Sequence, residues 1–142
     1  MSESIVVAEP KNIQAELSEA SPSTYCSVKG GDMKAKALVY NAMNNPTHRV
    51  GDCINKKLFI KDVLAETITV ENEETGEPQD AYRVVLIDKD GESYQAVSNG
   101  IFNAVKKAIA VFGAPTWDEP LPIVVKQISL GKNQMLTFDV EL

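Results

Sequence analysis

The sequence predicts an all-β fold with one helix: a five-stranded barrel in the order strand, strand, strand, helix, strand, strand, plus a leading strand. Three observations carry this expectation. A run from Asn55 to Asn72 stays extended well beyond an ordinary strand, two β-rich runs meet at Asp88-Lys89-Asp90-Gly91, and one amphipathic helix pattern separates them from a last pair of strands. With 142 residues, 44% apolar and 24% charged, the chain matches one ordinary globular domain, which excludes collagen-like and disulfide-scaffold descriptions.

From Met1 to Val28 the sequence is rich in Ser, Glu and Ala and lacks a sustained apolar period, so residues 1–28 are expected to form a disordered acidic N-terminal arm. Ile5 to Ala8 could dock as a short strand, and Asn12 to Leu17 could form one helical turn. The domain proper is then 29–142. Lys34 to Tyr40 alternates loosely between polar and apolar residues and reads as the leading strand. Asn41 to Asp52 gathers Asn, Pro and Gly and reads as a loop, with Pro46 disfavouring helical geometry at Asn45.

In the long run, Leu58, Ile60, Ile68 and Val70 fall on a period of two, and its length suits a strand that bends to serve two sides of a barrel. Glu73 to Asp80 reads as an exposed loop broken by Gly76 and Pro78. The next two strands meet in a hairpin whose Asp90-Gly91 is the turn signal. Ser98 is the expected N-cap of the helix, Ile101, Phe102, Val105, Ala108, Ile109 and Phe112 recur at helical spacing, and Gly113 ends it. Ile123 to Leu130 and Met135 to Val140 are the last strands, around Gly131-Lys132-Asn133. Without the leading strand this is the order of an OB-fold barrel, which binds oligonucleotides or oligosaccharides at the face of its second and third strands and at two of its loops.

The segment NNPTHRVGDCINKKLFIKDV, followed by YRVVLIDKDGESYQAVSNGIFNAVKKAI, resembles the small single-stranded DNA-binding proteins of phages and mobile elements of Gram-positive bacteria. The likeness covers roughly residues 34–140. It implies cooperative, sequence-independent coating of single-stranded DNA during replication, without catalysis. Such a protein would act in the cytoplasm of the host cell. The general bacterial type carries an acidic C-terminal tip, whereas this sequence ends Phe138-Asp139-Val140-Glu141-Leu142, so recruitment of replication proteins through a tip is not implied. Replication-protein partners and a homo-oligomer are compatible with the resemblance, and the sequence assigns neither.

Single strands are held by cations that follow phosphates and by flat rings on which bases stack. Arg49, Lys56, Lys57 and Lys61 form the densest positive stretch, beside His48, and Lys132 lies in the last hairpin. The competing reading of these lysines is a solvated strand edge guarded against aggregation; for Lys34 and Lys36 that reading is favoured. Phe59 alternates away from Leu58 and Ile60, so it faces either outward as a stacking platform or into packing. If Asp88 to Gly91 is the turn, positions 82 and 97 pair, as do 85 and 94. Arg83 and Tyr94 then share the ligand face, and Tyr82 is a further candidate. Trp117, beside Asp118 and Glu119, suits packing or a protein contact, and Phe102 and Phe112 suit the core.

The net charge of −6 opposes a protein that coats nucleic acid by overall charge. Glu3, Glu9, Glu16 and Glu19 against Lys11 place −3 of it in the arm, which leaves −3 for the domain. That residual charge favours the alternative of a protein-interaction module, an inhibitor or adaptor, built on the same barrel. No enzyme is expected: His48 has no Ser or Cys motif beside it, and no phosphate-cradling glycine motif occurs. Cys26 and Cys53 lack metal-site spacing, so neither a metal nor a cofactor is expected. No apolar run reaches the roughly 20 residues of a membrane helix, so no membrane partner is expected.

Overall fold

In the computed structural model, which describes residues 24–131 and 133–142, the chain opens with β1 (Thr24–Cys26), α1 (Met33–Asn44), β2 (His48–Arg49) and a 3-10 turn at Val50–Cys53. Then follow β3 (Lys57–Glu71), β4 (Pro78–Asp88), β5 (Ser93–Val97), α2 (Asn99–Phe112), β6 (Leu121–Leu130) and β7 (Asn133–Val140). The strands pair in the order β2-β5-β4-β3-β6-β7, with β1 attached to β3, and the sheet is mixed because β2 runs parallel to β5. The result is a curled, OB-like half-barrel with α2 between its third and fourth long strands.

The length of β3 allows this curl. Its first residues pair with β6 (Lys57 with Val124, Ile60 with Leu121), Leu64 to Glu66 pair with β1, and nearly the whole strand pairs with β4. The pairing shifts by one residue between Ile60 and Asp62, the extra residue of a β-bulge. Leu58, Ile60 and Val63 therefore all enter the interior core, with Val84, Leu86 and Val125, and α2 contributes Ile101, Val105 and Ala108. Beyond the bulge the inward positions are odd-numbered, so Ile68 and Val70 lie on the opposite side of the sheet from Leu58 and Ile60. The uninterrupted period of two is corrected accordingly.

The segment after β2 crosses from β5 to β6. Ile54 forms a parallel bridge to Val125, and the Asn55 N–H donates to the Val125 carbonyl at 2.7 Å. The helix ends are as expected: the Ser98 hydroxyl accepts from the Ile101 N–H at 3.1 Å, and Gly113, at φ 87°, donates its N–H to Ile109.

The leading strand expected at Lys34 to Tyr40 is a helix, α1. Asp32 caps it by accepting from the Ala35 N–H at 2.9 Å. Ala35, Leu38, Val39, Ala42 and Met43 recur at helical spacing, in residue types that favour helix more than strand. Leu38, Val39, Ala42 and Met43 pack on Leu64, Val85 and Ile87, on the outer side of the sheet.

Most of the arm expected over residues 1–28, with its Ile5 to Ala8 and Asn12 readings, lies outside the described residues, and so does Lys132. The last part of that span differs from expectation, since Thr24–Cys26 is a strand on β3. Phe112, expected in the core, is 46% exposed at the end of α2.

At the start of α2 the helix presses against β7. A Cβ at Gly100 would stand 2.1 Å from the Leu136 carbonyl oxygen and 2.6 Å from the Met135 side chain. Backbone cannot yield as a flexible side chain can, so Gly100→Ala is expected to cost about 1–3 kcal/mol or more. Urea denaturation checks this: the midpoint should fall with little change in slope, and an unchanged midpoint would show that α2 and β7 are not in such close contact.

Candidate nucleic-acid interface

Phe59 sits on the outer side of β3 because its neighbours Leu58 and Ile60 are claimed by the core. Its ring is 39% exposed, and two ammonium groups stand over it: Lys57 Nζ at 5.8 Å and Lys89 Nζ at 5.6 Å from the ring centroid. Lys57 shares its face by alternation. Lys89 is brought there by the hairpin, whose tip is tied to β3 by the Lys89 N–H donating to the Phe59 carbonyl at 2.9 Å.

One residue before Lys57, Lys56 lines a cleft of about 340 Å³ together with Arg49, His48 and Asp52. Arg49 is exposed on the edge strand β2, opposite Gln95 of β5. Lys56 and Lys57 are adjacent in the chain, so the cleft with Arg49 and Lys56 meets the platform of Lys57, Phe59 and Lys89 at the start of β3; these five residues are the candidate strip. Lys61 is half-buried at the bulge, two residues beyond Phe59. Acids flank the strip. Asp52 lies in the cleft, Lys89 Nζ is 4.0 Å from Asp90, and the His48 ring pairs with the Glu92 carboxylate.

The three other ring and cation candidates lie elsewhere. The hairpin holds three residues between Asp88 and Glu92, with Gly91 at φ 87°, and its register pairs Arg83 with Val97 and Leu86 with Tyr94. That is one residue off the expected pairing, and a slip of one exchanges the faces. Tyr94 consequently faces inward beside Leu86 and is only 8% exposed. Its hydroxyl donates to Asp88 at 3.1 Å, and its ring stacks on His48 with centroids 4.7 Å apart.

Arg83 is on the outer side, under the end of α1. It donates to the Met43 carbonyl at 2.8 Å, to Gln95 at 3.1 Å and to Glu66 at 3.3 Å. Its guanidinium therefore clamps the last turn of α1 to the sheet, where the helix carbonyls lack partners of their own. Tyr82 is 38% exposed and lies flat on Phe102 of α2, at a centroid distance of 3.8 Å and an interplanar angle of 2°. Trp117 packs in the core, with its indole N–H on the Gly113 carbonyl at 3.0 Å.

Sequence reading missed Lys89, because its four-residue context reads fully as turn chemistry. The available signal was the outward parity of Phe59 combined with the hairpin tip folding back beside it. Among the described residues no group of three or more His, Cys, Asp or Glu is placed to hold a metal ion, and no helix is long and apolar enough to cross a membrane.

A family model described as phage single-stranded DNA-binding protein, of the Phi29 type, matches residues 18–141. No curated protein and no solved structure matches the chain.

Burial, and next the hydrogen bond to Asp88, push the Tyr94 phenol pKa well above its ordinary value. The folded state thus holds this proton more tightly than the unfolded chain does. Its contribution to stability is complete below the ordinary phenol pKa of about 10 and is lost as pH rises above it. Urea midpoints measured across about pH 9 to 11 should fall in the parent protein, and Tyr94→Phe should flatten that fall.

Proposed function

The chain belongs to the Phi29-type phage single-stranded DNA-binding protein family, whose members act in phage replication, and we propose that it holds single strands along the Arg49–Lys56–Lys57–Phe59–Lys89 strip. The observation that carries this reading is the Phe59 platform: an exposed ring with two ammonium groups 5.8 and 5.6 Å from its centroid, next along the chain to a cleft lined by Arg49 and Lys56. A base stacks on the ring and the lysines meet the phosphates that flank it. Every base has a flat face, so the contact is indifferent to sequence.

The protein acts as a stoichiometric binder without catalysis, in the cytoplasm of the host cell, and needs no cofactor. Lys61 lies two residues beyond Phe59 and extends the strip there, and Lys132 is a further candidate phosphate contact. Arg83 and Tyr94 serve the fold instead, since the donors of one and the ring of the other are already engaged by protein groups. The acidic arm proposed from the sequence over residues 1–28 is cut back at least to Thr24, because the Thr24–Cys26 strand belongs with the sheet.

Four cations each neutralising one phosphate give a slope of about −3 for log affinity against log salt, from roughly −0.7 per contact on single strands. Fluorescence anisotropy with labelled oligo-dT at several salt concentrations measures it. Replacing Lys56 and Lys57 together by Gln should flatten the slope by about 1.4. Phe59→Ala should weaken binding by about 1–3 kcal/mol with the slope nearly unchanged. Arg83→Met, which removes a cation from the α1-covered side, should leave the slope as it is. Parent-like affinity in Phe59→Ala would show that the strand binds elsewhere.

A further inference from the structure

We propose that the Tyr82–Phe102 ring pair is a second base-stacking platform, separate from the Phe59 strip and reached only by longer single strands. The proposal rests on the single-strand-binding reading above and extends it to the size of the bound segment.

Tyr82 occupies an inward-facing position of β4, in the same alternation as Val84 and Leu86, yet it lies beyond the packed interior and is 38% exposed. It is not a core residue left short of cover. Its ring lies on Phe102 within 2° of parallel, and Phe102 is itself anchored against the interior core. Two parallel, face-to-face rings, one held by packing and the other half open, form a preorganised stack that a base can extend at low ordering cost.

A cation completes the arrangement. Lys106, one helical turn after Phe102, is exposed and holds its ammonium 5.8 Å from the Phe102 ring centroid. The combination of ring and adjacent lysine is that of Phe59 with Lys57. Asp80, two residues before Tyr82 on the same side, is the acid beside it, so the electrostatic share of this contact is small.

The two platforms are far apart. Asp88, beside Phe59 through the hairpin tip, is six residues along β4 from Tyr82, which at the rise of a strand is about 20 Å. They also face opposite sides of the sheet. A strand of a few nucleotides can occupy one platform, whereas one that uses both must pass around an edge of the sheet. Single-strand sites on OB folds range from about 4 to about 16 nucleotides. The second platform places this protein toward the longer end.

Affinity for oligo-dT of about 4 and about 16 nucleotides tests this, using the full chain. Phe59→Ala should weaken both oligomers. Tyr82→Leu should weaken only the longer one, by about 5- to 150-fold, the range for one stacked base, and should reduce the number of nucleotides occluded per protein. Tyr82→Phe should restore it. Because Tyr82→Leu could disturb β4 and its packing on Phe102, Lys106→Gln on the exposed helix face provides an independent variant. It should weaken the longer oligomer alone and flatten its salt slope by less than the roughly 0.7 of one full phosphate contact.

Parent-like binding of the longer oligomer by both Tyr82→Leu and Lys106→Gln, with Phe59→Ala still impaired, would overturn the second platform and leave the first intact. Equal weakening of both oligomers by Tyr82→Leu would overturn the separation of the two. Absence of binding by the parent protein to either oligomer would overturn the single-strand reading itself.

Discussion

Between Ile60 and Asp62 the pairing of β3 with β4 slips by one residue, and a slip of one inverts every later side chain. Before the slip, Leu58 and Ile60 face inward and Phe59 outward. After it, Val63 and Ala65 face inward to meet Leu86 and Val84. The extra residue is sealed by Ser27, whose hydroxyl accepts from the Val63 N–H at 2.9 Å and donates to the Asp62 carboxylate at 2.8 Å. The Thr116 hydroxyl donates to the same carboxylate, and Asp62 is buried. A buried carboxylate needs such donors, and here they come from the end of β1 and from the loop after α2. The bend that curls the sheet is thus also the knot that ties both ends of the domain to it.

With the bend in place, the outer side of β4 and β5 is the surface an OB-fold customarily offers to a ligand. In this protein α1 lies on it. The residues beneath are Leu64, Val85 and Ile87, aliphatic groups on which a base cannot stack, and their burial under the helix is worth more to the fold than their exposure would be to binding. The Arg83 clamp on the Met43 carbonyl holds the last turn of the helix down. Phe59, beside the hairpin tip, and Tyr82, midway along β4, are flat rings that remain accessible away from the residues that α1 covers.

Much of this was legible in the chain. The α2 boundaries followed from Ser98 and Gly113, the hairpin from Asp88 to Gly91, and the bent first barrel strand from its excess length. Three features were not. The helix α1 was read as a strand because Lys34, Ala35, Lys36 and Ala37 mimic alternation over a window too short to separate a period of 2 from one of 3.6. The hairpin register was missed by one, since a Gly in left-handed geometry closes either a two-residue or a three-residue loop, and only the second places Tyr94 inside. The bulge at Asp62 has no local sequence signature at all: it depends on Ser27, 35 residues away, filling the gap it leaves.

The charge distribution then decides which kind of interaction can dominate. A chain with net charge −6 repels a polyanion at long range, so its encounter with DNA is not accelerated by steering as that of a basic domain is. At physiological ionic strength this repulsion is screened beyond about 8 Å, while a lysine in contact with a phosphate is not. The acids at the hairpin tip and in the cleft further reduce what Lys89 and Arg49 contribute. Affinity must therefore come in large part from ring contacts, which salt hardly touches, with the cations fixing the path of the backbone. With α1 over Leu64, Val85 and Ile87, the two proposed platforms at Phe59 and Tyr82 would add more than further positive charge could.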